Sequence, residues 1–387
     1  MLERPPLSLY VHIPWCIRKC PYCDFNSHQQ RTTLPEAGYV AALIDDLHHE
    51  ADSRDEDDDR KLDSVFIGGG TPSLFSASAI ADMLSAAEKT IGFNEDIEIT
   101  LEANPGAAEA TRFADYRKAG VNRLSIGIQS FQDDKLKSLG RVHDGREAMA
   151  AVEACRKAGF DNFNLDLMHG LIQQSVDDGL RDLERAVGFS PTHLSWYQLT
   201  IEPNTEFHSR PPVLPDDSTI GSLQENGMQL LEDAGLHRYE VSAYAKPGLE
   251  SRHNLNYWRF GDYLGVGAGA HGKYTCLPAK GVTRNRKRKQ PEAYMAADIN
   301  RCAEQQRVSI EERPFEFLMN ALRLKEGFTK QDFEKRTGVT FSHIGKKVEY
   351  LSSQGLLTTS DGRITTTEHG FRVLNSLLEE FLEIDRG

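Results

Sequence analysis

The chain has 387 residues, 39% of them hydrophobic and 27% charged, a globular balance that excludes wholesale disorder and, at ~100–200 residues per domain, suggests two or three domains. Its 45 Lys and Arg against 58 Asp and Glu give a formal charge of -13, which speaks against broad nucleic-acid binding. No apolar run reaches the ~18 residues of a membrane span, and Met1-Leu2-Glu3-Arg4-Pro5-Pro6 holds no apolar signal region, so the expected compartment is the cytoplasm. Peripheral membrane contact and a homodimer both stay open.

In chain order, Leu7–His12 reads as a short apolar strand and Val40–Leu47 as a helix. Leu62–Ile67 is a strand running into Gly68-Gly69-Gly70, followed by a helix over Ala77–Thr90. Asp96–Leu101, Asn122–Gly127, Phe163–Leu167 and His193–Tyr197 continue the strands, with helices at Ala108–Ala119, Arg146–Ala158, Ser175–Val187 and Leu223–Ala234 between and after them. Repeated strand–helix units imply a parallel sheet with right-handed crossovers, and this run of them favours a partial TIM-type (β/α)6 barrel over an open doubly wound sheet. Several strands end in polar or glycine-rich residues (Gly68–Thr71, Glu102, Gln129, Asp166), which is where such barrels carry their sites.

The barrel is expected over 1–245. The rhythm stops over 246–310, a connecting region with an aromatic cluster, a glycine-rich run and the basic run Arg284-Asn285-Arg286-Lys287-Arg288-Lys289. That run is either a solvated loop or a patch for an anionic partner such as a carboxylate or a lipid headgroup. The acidic run Asp55-Glu56-Asp57-Asp58-Asp59 is expected at an exposed loop tip. Over 311–387, helices at Phe315–Leu324, Lys330–Arg336 and Ser342–Gln354 precede a hairpin of Leu356–Thr359 and Arg363–Thr366, the order of a winged helix, and a helix over Gly370–Glu383 ends the unit.

Of six cysteines, Cys16, Cys20 and Cys23 crowd into one segment, while Cys155, Cys276 and Cys302 are scattered and read as ordinary thiols. The C-x3-C-x2-C trio follows the first strand. Structural zinc wants four ligands, usually as two pairs, and only His12 or His28 could complete such a set here. Iron–sulfur clusters are held by thiolates, and three on a four-iron cluster leave one iron open to a small ligand.

This trio after the first strand of a β/α barrel resembles the radical S-adenosylmethionine superfamily. The resemblance implies a [4Fe–4S] cluster on Cys16, Cys20 and Cys23, with S-adenosylmethionine chelated at the open iron. Gly68-Gly69-Gly70-Thr71-Pro72 resembles the superfamily's glycine motif. With Tyr10-Val11-His12-Ile13-Pro14, Glu102, Gln129-Ser130-Phe131, Arg141 and Asn164–Leu167, the chain is similar to the oxygen-independent coproporphyrinogen dehydrogenases. That likeness implies that Tyr10, Gly69, Gly70, Thr71 and Glu102 contact the cluster-bound molecule, and Gln129, Arg141 and Asp166 a second one.

Two departures turn the reading. The dehydrogenases carry a fourth cysteine two residues after the third, where this chain has Phe25, and they begin with a longer extension than the nine residues before Tyr10. Both departures match a sister family, the haem chaperones of the HemW type, as does His253-Asn254-Leu255-Asn256-Tyr257-Trp258. The implied activity is to bind haem and transfer it to an acceptor haem protein, expected to be respiratory, with the cluster and S-adenosylmethionine site retained. Coproporphyrinogen III oxidative decarboxylation is the alternative. His253 beside Tyr257 and Trp258 is a candidate haem ligand or a packed histidine, with His271 the lesser candidate.

Overall fold

A computed structural model describes residues 1–277, 279, 281–296 and 300–382. Six strands, β1 (Leu7–Ile13), β2 (Leu62–Gly69), β3 (Phe93–Ala103), β4 (Arg123–Gln129), β5 (Phe163–His169) and β6 (His193–Gln198), run parallel side by side in chain order. Helices return the chain between them, among them Glu36–Asp52, Ala77–Thr90, Gly145–Lys157 and Val176–Gly188. The last two each begin with a capping box, on Asp144 and Ser175, which satisfies amides left open by the first turn. This is the expected partial (β/α)6 barrel. Among the described residues β6 does not pair with β1, so the sheet stays open.

Short strands β7 (His237–Arg238) and β8 (Ala243–Ala245) extend the β6 edge antiparallel. Beyond 245, the stretch expected as a connector joins the same sheet. Strand β9 (Asp262–Val266) pairs parallel to β1, and β10 (His271–Cys276), β11 (Gly281–Lys287) and β12 (Cys302–Val308) follow as an antiparallel ribbon.

The basic run is thus largely strand β11, neither a solvated loop nor a free cationic patch. Arg284 pairs with Glu316 at 2.6 Å, Arg286 with Glu304 at 2.9 Å, and Lys287, fully buried, with Asp46 and Glu50 at 2.6 Å each. The acidic run is also held in place: Arg4 binds Asp55 and Asp57, while Arg54 and Arg60 bind a buried Asp58 side chain.

The C-terminal unit has its own core, built on Phe317, Leu318, Phe333, Ile344, Leu351 and Ile364. Helices Glu312–Ala321, Lys330–Thr337 and Ser342–Ser353 precede the hairpin Leu357–Ser360/Arg363–Thr366. Asp361 and Gly362 form its turn with φ of 52° and 76°, the left-handed pair that a tight hairpin needs. The last helix is described to Leu382, so Glu383 lies outside the described residues.

Candidate functional site

Period-two alternation decides what the barrel interior contains. One face of the strands carries Leu9, Val11, Val65, Ile67, Leu101, Leu124, Ile126 and Leu165 to the helices, and all are buried. The other face is polar, and its side chains bond laterally from strand to strand. Ser64 donates to Ser8 at 2.8 Å, Ser125 to Asp166 at 2.9 Å, and Asn164 to Ser125 at 2.8 Å. His193 and Asn164 meet at 2.7 Å, and Tyr197 donates to Gln129 at 2.8 Å. Such layers are stable only when each member is satisfied, and they hold side chains in fixed places.

Above this floor, at the strand ends, lies a cavity of about 500 Å³. Ten of the twelve residues singled out above line it: Cys16, Cys20, Cys23, Gly69, Gly70, Thr71, Glu102, Gln129, Arg141 and Asp166. The thiols stand on one side. Burial, with the neighbouring Cys23 and Cys20 adding to it, pushes the Cys16 thiol up to about 11, and burial raises Cys23 in the same direction. Among the described residues no three His, Cys, Asp or Glu side chains are placed to hold a single metal ion. Three thiols opening on a roomy cavity do fit a cluster, in which each thiolate binds a different iron.

The glycines bring the end of β2 against the thiol segment. A Cβ on Gly70 would stand 2.5 Å from the Trp15 carbonyl oxygen, and one on Gly69, whose φ is +116°, 2.6 Å from the His12 ring. Their amides are spent within the chain: Gly69 N–H donates to Glu102 at 3.0 Å, Gly70 N–H to the Ile13 carbonyl at 2.7 Å, and Thr71 N–H to the Trp15 carbonyl at 2.7 Å. An amino group brought here is itself a donor and is served by carboxylate or carbonyl oxygens, not by these amides.

Glu102 and Asp166 face the cavity deep in the barrel. Burial, reinforced by the Asp166 charge, pushes the Glu102 carboxyl up to about 8 against the opposing pull of Gly69 N–H. Burial raises Asp166 too, against hydrogen bonds from Ser125, Asn164 and Ser195. Arg141 donates to Asn104 at 2.6 Å and to the Gly127 carbonyl at 2.9 Å, with Cys20 sulfur 3.8 Å away. Asn104 passes the contact on to Thr71 at 2.9 Å, so one chain of bonds ties the Arg141 loop to the glycine motif.

Tyr10 and His253 do not line the cavity. Tyr10 bonds His12 at 2.9 Å, whose other nitrogen bonds the Asn26 carbonyl at 2.9 Å, bracing the segment that follows Cys23. His253 is 1% exposed and both ring nitrogens are engaged, Nδ1 with Ser64 at 2.9 Å and Nε2 with Tyr257 at 3.0 Å. It stacks on Phe66 at 5.1 Å, and burial, helped by the Arg123 charge, lowers its pKa to about 3. In this arrangement neither nitrogen is open to an iron. His271 is exposed on the ribbon.

Sequence reasoning missed Ser125, Ser195, Tyr197, Glu240, Ser242 and Arg323 as cavity residues. Polar alternation within otherwise apolar strands was the available signal for the first three. Phe25, at the position of the absent fourth thiol, is 62% exposed at the cavity mouth.

Barrel, thiol trio and glycine motif together define a radical S-adenosylmethionine protein, and the Radical SAM superfamily matches over residues 10–186, with the HemN C-terminal domain over 308–373. The solved structure of coproporphyrinogen III oxidase HemN from Escherichia coli has the same fold, with a TM-score of 0.80 at 22% identity, covering 98% of this chain and 90% of that one. The chain is 51% identical to heme chaperone HemW of Haemophilus influenzae over 99% of each, and 50% identical to that of Escherichia coli over 99% of this chain and 100% of the relative. It therefore belongs to the HemW family. It is also 36% identical to radical S-adenosyl methionine domain-containing protein 1, mitochondrial, of Bos taurus, over 97% of this chain and 87% of that one.

Proposed function

We propose that this protein is a haem chaperone, binding haem and passing it to an acceptor haem protein. The observation that carries the reading is full-length similarity to heme chaperones at half identity, with the thiol trio, glycine motif, Glu102, Gln129, Arg141 and Asp166 lining one cavity. A [4Fe–4S] cluster on Cys16, Cys20 and Cys23 would present one open iron to S-adenosylmethionine and supply an electron to its sulfonium. The chain's own residues then divide the work. Glu102 offers a carboxylate beside the glycine motif, Arg141 and Asn104 fix the loop next to Cys20, and Gln129, held by Tyr197, and Asp166 face the ligand from β4 and β5.

The exposed Phe25 supports the chaperone over the dehydrogenase, since no thiol stands at that place. A respiratory acceptor at the membrane is the expected partner. The basic run lends membrane contact no support, because Arg284, Arg286 and Lys287 are paired within the chain. No helix among the described residues is long and apolar enough to cross a membrane.

The test is an anaerobic titration of haem into cluster-reconstituted protein, followed by transfer to an apo haem protein. Saturable binding and transfer are expected. Protoporphyrinogen formation from coproporphyrinogen without haem binding would overturn the reading.

A further inference from the structure

The cavity runs on from the thiols to an end that neither cluster nor glycine motif explains. Three buried polar atoms there lack a hydrogen-bond partner among the described residues: Glu240 Oε2, Arg323 Nε and Trp258 Nε1. They come from three separate elements. Glu240 follows β7, Trp258 ends the helix Arg252–Trp258, and Arg323 lies just beyond the first helix of the C-terminal unit. A backbone bridge between Glu240 and Leu324, and the bond from Lys325 N–H to the Tyr239 carbonyl at 2.9 Å, fix the two units against each other here.

The chemistry of this end is unbalanced. The Arg323 guanidinium lies 4.5 Å over the Trp258 ring, which orients it without using its N–H groups. Its nearest carboxylate oxygen, on Glu240, is 3.8 Å away, too far for a hydrogen bond, while the other Glu240 oxygen accepts from Ser242 N–H at 3.1 Å. A guanidinium has five donors and an indole one, and the acceptor left over beside them is the single oxygen Glu240 Oε2, so donors outnumber acceptors at this end. Buried donors are rarely left so. A planar two-oxygen anion meets that demand, because it can take the guanidinium fork and the indole N–H together.

We propose that Arg323 and Trp258 form a carboxylate anchor at the far end of the cavity, and that its occupant is a propionate of haem. The inference rests on the haem reading above. The chemistry it shares with a second source, the α-carboxylate of an S-adenosylmethionine molecule, is separated by the test.

Ferric haem and its dimethyl ester, delivered in the same detergent, are titrated into cluster-reconstituted wild type, Arg323→Met and Trp258→Phe proteins. Trp258→Phe keeps a ring under the guanidinium and removes only the N–H. It therefore keeps the test sound if Arg323→Met fails to load iron. Wild type is expected to prefer the diacid by about ten- to a hundredfold, the range for hydrogen bonds to a charged group. Arg323→Met should lose that preference and Trp258→Phe a part of it, with iron content unchanged. An unchanged diacid preference in both iron-loaded variants overturns the anchor and leaves the haem reading intact. No haem binding by the wild type overturns both. Loss of S-adenosylmethionine retention in Arg323→Met, measured by equilibrium dialysis with haem affinity unaltered, overturns the propionate assignment in favour of the second source.

Discussion

Lys287 and Arg288 are neighbours in one basic run, and the structure gives them opposite fates. Lys287 is fully buried between Asp46 and Glu50, whose side chains are 1% and 7% exposed. Tyr294 donates to Asp46 at 2.7 Å and Asn285 to Glu50 at 3.1 Å, so the lysine is the cation of a buried network between the helix Glu36–Asp52 and the ribbon. Lys287→Met keeps the volume and leaves two carboxylates without a counter-charge. Removing one partner of a buried pair costs about 3–5 kcal/mol. With an unfolding entropy of ~2.1 cal/mol/K per residue over 387 residues, that is a fall in Tm of about 4–6 °C. Arg288 is exposed and, among the described residues, its side chain bonds the Asn300 carbonyl alone, so Arg288→Gln should cost under ~0.5 kcal/mol, less than about 1 °C. Calorimetry of both variants alongside the wild type, at one iron loading, makes the comparison. Equal falls, or a Lys287→Met fall below about 2 °C, would refute the reasoning that this run is structural.

Replacing Cys16, Cys20 or Cys23 singly by Ala should abolish iron incorporation, whereas Cys155→Ala, Cys276→Ala and Cys302→Ala should keep it; iron and sulfide analysis after anaerobic reconstitution decides. Glu102, held up at about 8, is about nine-tenths protonated at pH 7 and should ionise on meeting an ammonium group. S-adenosylmethionine binding should then release more protons at pH 7 in wild type than in Glu102→Gln, read by calorimetry in buffers of different ionisation enthalpy, and equal release would refute that. The difference should shrink as pH rises above 8, where the free protein is already ionised. Gly70→Ala forces a Cβ to within 2.5 Å of the Trp15 carbonyl and should displace the thiol segment, seen as loss of iron at preserved far-UV circular dichroism. His253→Ala should lower Tm through its lost bonds to Ser64 and Tyr257 while leaving the Soret maximum of bound haem in place; a shifted maximum would return His253 to the iron.

The barrel was legible because its strands carry apolar residues at every second position, as Leu7, Leu9, Val11 and Ile13 do, and are separated by helical stretches. The thiols, glycines and strand-end polar residues were legible because they sit in short motifs. Strand β11 was not, because a run of cations reads as solvated unless its partners are known, and those of Lys287 lie 241 and 237 residues away. Arg323 was missed for a related reason. Nothing in its local sequence distinguishes it from any surface arginine, and only the packing of the C-terminal unit on the barrel brings it over Trp258.

The motif His253–Trp258 divides between two faces of its helix. On a helix, residues four apart share a face and residues one apart do not. His253 and Tyr257 form one such pair, bonded to each other at 3.0 Å and turned to Ser64 and Phe66 in the barrel floor. Asn254 and Trp258 form the next pair, and both line the cavity. An imidazole beside aromatics suggests an iron ligand, but here the histidine fastens the helix. Its two engaged nitrogens and its stack on Phe66 set the helix's rotation about its axis, and that rotation places the Trp258 ring under Arg323. On the anchor proposed above, the motif would serve the ligand through Trp258, with His253 as its positioning residue. Loss of His253 should accordingly weaken haem binding in the same sense as Trp258→Phe, by disordering the anchor, without altering the iron's coordination.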